Sequence, residues 1–213
     1  VRFERVGADA QQLDLKSPQA RRFIRLLRDR GTVVDPTVGV FEAMFTQAQG
    51  QPNPSVVDIA DHLPVLWQRG LKAAEMDLKA DRLTTFRRSY QRLLDLTLAL
   101  HRAGIPLVAG TDSWAGIGLH RELALYVQAG IPPLEVLRIA TWNAARVAGA
   151  SATRGRIERG YAADLVLVDG DPSARITDLR RASLVIQGGV AYEPASLYES
   201  MGYKPFVPGA LTP

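Results

Sequence analysis

Apolar residues recur along this chain with two periods, and the switches between them outline its elements. Ser17 can cap a helix that Pro18 opens, with Phe23, Ile24, Leu26 and Leu27 on an apolar face and Gly31 as its stop. The β-branched run that follows predicts a strand ending near Asp35, where Pro36 interrupts it. A helical piece over residues 41–48 leads into the turn-rich Gly50-Gln51-Pro52-Asn53-Pro54. Residues 58–78 have mixed spacing and predict one or two short helices with a break at Pro64 or Gly70. Residues 81–103 are more regular, placing Leu83, Phe86, Tyr90, Leu93, Leu94, Thr97, Leu98 and His101 on one helical stripe that Gly104 ends.

Ile105 to Ala109 has no polar alternation, which predicts a buried parallel strand covered on both faces. Residues 113–119 are small and predict a loop, and a helix follows over 120–129 with Gly130 as its stop. Pro132 and Pro133 open another helix to residue 140, and Thr141 can cap one over 142–148. Beyond residue 152 the pattern turns to β: a strand over 163–169, then a hairpin turning through Gly188-Gly189. The segment from 193 to 213 reads as irregular coil. Two helix-to-strand steps therefore precede a small β region, and the expected division is 1–152 and 153–213.

The apolar run at 105–109 delivers one acid, Asp112, at its carboxyl end. In α/β folds active-site loops gather at that end. An aspartate there also suits a turn or a helix N-cap. The formal charge of +4 comes mostly from arginines interspersed with Asp and Glu, without a basic cluster among aromatics, so nucleic-acid binding is not expected. With no cysteine, disulfides, thiolate metal sites and cysteine nucleophiles are excluded together. No stretch has the apolar length of a membrane span, and compartment is not readable.

Residues 104–113 (GIPLVAGTDS), 120–130 (HRELALYVQAG) and 140–145 (ATWNAA) together resemble the last barrel strand and following helices of amidohydrolase-superfamily metal-dependent hydrolases. Residues 155–169 and 185–192 are similar to that superfamily's C-terminal β-sandwich. Residues 31–37 (GTVVDPT) are similar to the preceding strand in its imidazolonepropionase and Xaa-Pro dipeptidase branch. The resemblance implies an α/β fold: the C-terminal part of a (β/α)8 TIM-like barrel, with its last two strands, followed by part of a small β-sandwich. It also implies one or two divalent metals, usually zinc, that activate a water for attack on a C–N bond. Asp112 matches the aspartate that ligates the metal and shuttles the proton. Ser113, Trp114 and His120 are candidates to line the substrate pocket.

The rest of such a site cannot be placed. His62, His101 and His120 are the only histidines, and no two have ligand spacing. The expectation is the downstream piece of a longer enzyme that needs an upstream segment or partner chain, since two parallel strands cannot close a barrel. Without it, Val33, Val34, Ile105, Leu107 and Val108 should expose apolar faces. The competing reading is a non-catalytic remnant or assembly module of the same fold. Homo-oligomerisation stays open.

Overall fold

A computed structural model describes residues 2–113 and 116–207. In chain order its helices are α1 (Arg2–Asp9), α2 (Pro18–Asp29), α3 (Val38–Thr46), α4 (Val65–Gln68), α5 (Ala80–Arg102), α6 (Ile117–Gln128), α7 (Pro133–Arg138), α8 (Ala144–Val147) and α9 (Pro194–Ser200). Strands β1 (Leu165–Val168), β2 (Ala182–Gln187) and β3 (Val190–Tyr192) lie between α8 and α9. The chain divides into two compact units, Val1–Val57 with Leu71–Pro132, and Asp58–Gly70 with Pro133–Pro213.

The first unit is built on α5. Its buried stripe is Leu83, Phe86, Ser89, Tyr90, Leu94, Thr97 and Leu100. Leu93, Leu98 and His101, expected on that stripe, are only half-buried. Ser89 is on it because α1, which the sequence reading did not anticipate, packs there. The Ser89 hydroxyl donates to the Gly7 carbonyl (2.7 Å) and accepts the Gln11 N–H (2.8 Å). Edge-on rings run from Phe41 through Phe45 to Phe86, with centroids 5.4 and 5.1 Å apart.

The two predicted strands meet in parallel, as expected, but only as one bridge between Val34 and Leu107. The Val34 N–H donates to the Pro106 carbonyl (3.0 Å) and the Val108 N–H to the Val34 carbonyl (3.1 Å). Burial of this pair differs from expectation. Ile105 and Leu107 are inside at 3% and 1% exposure, and Val34 and Val108 are half-buried; of the five, Val33 alone is exposed. The reason is local: the Tyr126 hydroxyl of α6 donates to the Val108 carbonyl (2.9 Å), so α6 lies along the second strand. Ser17 caps α2 as predicted, through the Ala20 N–H (3.2 Å). The α2 face is not covered, however, and Phe23 and Leu26 are exposed.

Of the two breaks offered for residues 58–78, the one at Pro64 is found, between a 3-10 turn over Val57–His62 and α4; α4 ends at Gln68 and no helix follows Gly70 before α5. Thr141 does not cap a new helix. Its hydroxyl donates back to the Leu137 carbonyl (2.8 Å), and α7 continues through a π-turn over Ile139–Asn143 into α8. The three strands form an antiparallel sheet in order β1-β2-β3, with a register irregularity between Leu167 and Val168. Gly188 and Gly189, at φ 57° and 83°, form the two-residue turn that the hairpin pattern required. The tail is not all coil, since Pro194 opens α9. The ring of His62 stacks on Phe206 at 4.0 Å, and its Nδ1 lies 2.9 Å from the Lys204 carbonyl.

A methyl group at Gly7 would lie 2.2 Å from the Phe86 ring. Alanine's better helix propensity is worth at most about 1 kcal/mol, against about 1–3 kcal/mol for forcing a carbon into a packed contact. Gly7→Ala is therefore expected to lower the urea midpoint of unfolding without changing the slope.

Candidate functional site at the strand ends

The bridged strands of the first unit leave in the same direction, and each exit carries a carboxylate. Asp35 follows the first strand by one residue. Its Oδ1 accepts the Gly110 N–H of the second exit (2.8 Å). A Cβ at Gly110 would sit 2.0 Å from Asp35 Oδ2, so only glycine fits this approach. Asp112 lies two residues farther on, exposed, with φ at 42°. Thr37, at the N-cap of α3, has φ at 44°. Among the described residues these two are the non-glycine positions with positive φ. A left-handed conformation costs roughly 1–2 kcal/mol outside glycine and is most unusual for a β-branched side chain.

Glu122 of α6 is fully buried, and both its oxygens are used. Oε1 accepts the Val38 N–H (2.9 Å) and Oε2 the Gly39 N–H (2.7 Å), at the start of α3. The carboxylate thus satisfies two of the four orphan donors of that helix end across more than eighty residues of sequence. Burial pushes its pKa from 4.5 to about 7, outweighing the Gly39 and Val38 N–H bonds, which favour the charged form. Burial also raises the Tyr126 hydroxyl above the usual tyrosine range, and the neighbouring Glu122 charge adds to this. One residue before Glu122, Arg121 grips Glu42 of α3 with two nitrogens, Nε at 2.7 Å from Oε2 and an Nη on the other oxygen. Helices α3 and α6 are joined twice.

Thr111 and Ser113, on either side of Asp112, line a cavity of about 20 Å³ with Gly39, Ser55 and Arg121. That is room for about one water. Of the residues expected in a substrate pocket, Ser113 is thus on this cavity. His120 is not on it. It is the fourth residue of α6 and half-buried, because the helix begins at Ile117 after Gly116, three residues earlier than expected. Trp114 lies outside the described residues. His101 falls in the last turn of α5.

Sequence reasoning missed Asp35, Glu42, Arg121 and Glu122. For Glu122 a signal was present: a lone acid between Leu119, Leu123 and Tyr126 on an otherwise apolar helix face. Among the described residues no three His, Cys, Asp or Glu side chains gather closely enough to hold a metal ion. These residues therefore do not by themselves fit a catalytic metal, and Asp112 contributes at most one ligand.

Parallel βα steps with acids at the carboxyl ends of the strands are the arrangement at which α/β proteins gather their active-site loops. The chain belongs to the amidohydrolase family, whose sequence model matches residues 15–191. Its fold is shared with solved amidohydrolase structures. A Xaa-Pro dipeptidase with methionine bound in its active site is 22% identical, with a TM-score of 0.60 over 86% of this chain and 38% of that one. Bottromycin amidohydrolase is 25% identical, with a TM-score of 0.61 over 82% of this chain and 41% of that one. Ochratoxinase of A. niger is 21% identical, with a TM-score of 0.56 over 80% of this chain and 34% of that one. The chain thus spans about two-fifths or less of the length of these structures. Among curated proteins none matches it in sequence.

The raised pKa of Glu122 has a direct consequence for stability. Between about pH 4.5 and 7 the folded protein retains a proton that the unfolded chain releases. Stability from this group is complete below that window, falls as pH rises through it, and is level above. Chemical denaturation from pH 4 to 8 should show this fall, and Glu122→Gln should remove this contribution to the slope.

Proposed function

We propose that this chain is the downstream part of a metal-dependent hydrolase of C–N bonds in amides, cyclic amides or dipeptides, with Asp112 as its reacting acid. The observation that carries the reading is the placement of Asp112 at the exit of a strand paired in parallel with the one before it, within a family match covering most of the chain. In the complete protein, residues 1–152 are the last two strands and helices of a (β/α)8 barrel and residues 153–213 a β-sandwich segment.

Asp112 is suited to proton transfer. It is exposed, so one carboxylate oxygen can face a divalent cation while the other takes the proton of the attacking water and passes it to the leaving nitrogen. The divalent cation, zinc by resemblance to the superfamily, would be held by Asp112 together with ligands from outside these residues, and would supply an activated water. Ser113, Trp114 and His120 are the proposed substrate contacts. The exposed Phe23, Leu26 and Val33 support the need for an upstream segment or partner chain to complete the fold. Xaa-Pro dipeptides, with simple and cyclic amides after them, are the substrates to assay first.

Asp112→Asn tests the role. Asparagine tolerates the left-handed backbone at this position, so the fold should survive. In the full-length protein turnover is expected to fall by about two or more orders of magnitude, as for loss of a general acid–base group, with circular dichroism and melting temperature preserved. Near-normal turnover would remove Asp112 from the chemistry. Full-length protein that purifies without metal and without hydrolase activity would favour the assembly-module reading.

A further inference from the structure

Each of the two strand exits is held by an acid from the opposite βα step. Asp35, of the first step, takes the Gly110 N–H of the second. Glu122, of the second step, takes the Val38 and Gly39 N–H groups of the first. The crossing is reciprocal, and each arm lies within two residues of one of the two left-handed non-glycine residues: Val38 directly follows Thr37, and Gly110 precedes Asp112 by two. We infer that Asp35 and Glu122 form a reciprocal carboxylate clamp that locks the carboxyl ends of the two parallel strands together and sets the direction in which Asp112 presents its carboxylate. They are positioning residues, and the inference rests on Asp112 being the reacting acid.

The close approach of backbone to carboxylate at each arm, together with the burial of the Glu122 arm, favours a clamp over two incidental bonds; the Asp35 arm is open to solvent. Gly110 and Gly39 are positions where an added Cβ would crowd the clamping carboxylates, at 2.8 Å from Asp35 Oδ1 with Oδ2 nearer still at 2.0 Å, and at 3.1 Å from Glu122 Oε2. Glu122 is fully buried, so no water competes for its two amides. One turn along α6, Tyr126 holds the Val108 carbonyl. The backbone leading to Asp112 is thereby pinned at Val108 from α6 and at Gly110 from Asp35. A simple cap on α3 would leave Asp112 indifferent to Glu122, whereas a clamp couples the two exits.

The test uses the full-length protein and two readouts. Asp35→Ala should lower kcat about tenfold or more while KM shifts less than threefold, since an acid aimed wrongly loses transition-state rather than ground-state interaction. Asp35→Asn should recover most of that loss, because its amide oxygen can still accept the Gly110 N–H. Asparagine as damaging as alanine would overturn the inference, since Asp35 would then act through its charge. Glu122→Gln leaves one acceptor oxygen for two amides, and hydrogen exchange at Val38 and Gly39 should quicken at least tenfold. Coupling requires that exchange at Gly110 quickens with it and that kcat falls. Faster exchange at Val38 and Gly39 with unchanged Gly110 exchange and unchanged kcat would reduce Glu122 to a helix cap and overturn the clamp. A wild-type protein that hydrolyses nothing yet shows the exchange coupling would support the clamp while refuting the hydrolase reading.

Discussion

The buried carboxylate of Glu122 is the constraint around which the first unit is arranged. An ionisable group without access to water is costly unless hydrogen bonds replace its hydration, and the start of α3 supplies two backbone N–H groups that would otherwise lack helical acceptors. Each solves the other's problem. A buried N–H left unpaired costs roughly 1–3 kcal/mol, so α3 and α6 cannot separate without exposing both debts together. The Arg121–Glu42 pair, with Glu42 at 4% exposure, reinforces the same seam.

Such a seam matters because the parallel pairing it stands beside is minimal. Strands that bridge at a single residue pair cannot determine their own exits, and two of those exit residues adopt a backbone that glycine would favour. Side-chain bonds from neighbouring steps must hold the exits instead. Proton transfer is sensitive to the direction of the donor, so rigidity at Gly110 is worth more to an acid at Asp112 than rigidity elsewhere. The second unit, with its three-stranded sheet and half-exposed strands, carries none of these groups.

Local signals in the sequence made much of this readable. The α2 and α5 helices are legible from a serine cap, a proline start and a stripe of apolar residues, and the hairpin from adjacent glycines. Asp112 is legible because an apolar run stops there. By contrast α1 is short and half charged, and owes its place to Gly7 meeting Phe86 and Ser89, contacts made some eighty residues away. The start of α6 is not legible because Gly116 and Gly118 read as loop by composition, while the helix there closes against Thr111 and Ser113. The π-turn at Ile139–Asn143 hid a continuous helix behind a threonine that looks like a cap.

Periodicity and turn chemistry determine most of the helices and the hairpin, and the acid at the end of the second strand, while the motifs around that acid carry the resemblance to the family. Those features depend on neighbours in the chain, where the spacing of apolar residues and the chemistry of caps and turns operate. The partnership of Asp35 with Gly110 and of Glu122 with Val38 and Gly39 depends on groups 75 to 84 residues apart. No local pattern encodes such a distance. Only folding brings a buried acid against two free amides, and only then do two ordinary acidic residues become the frame for a third.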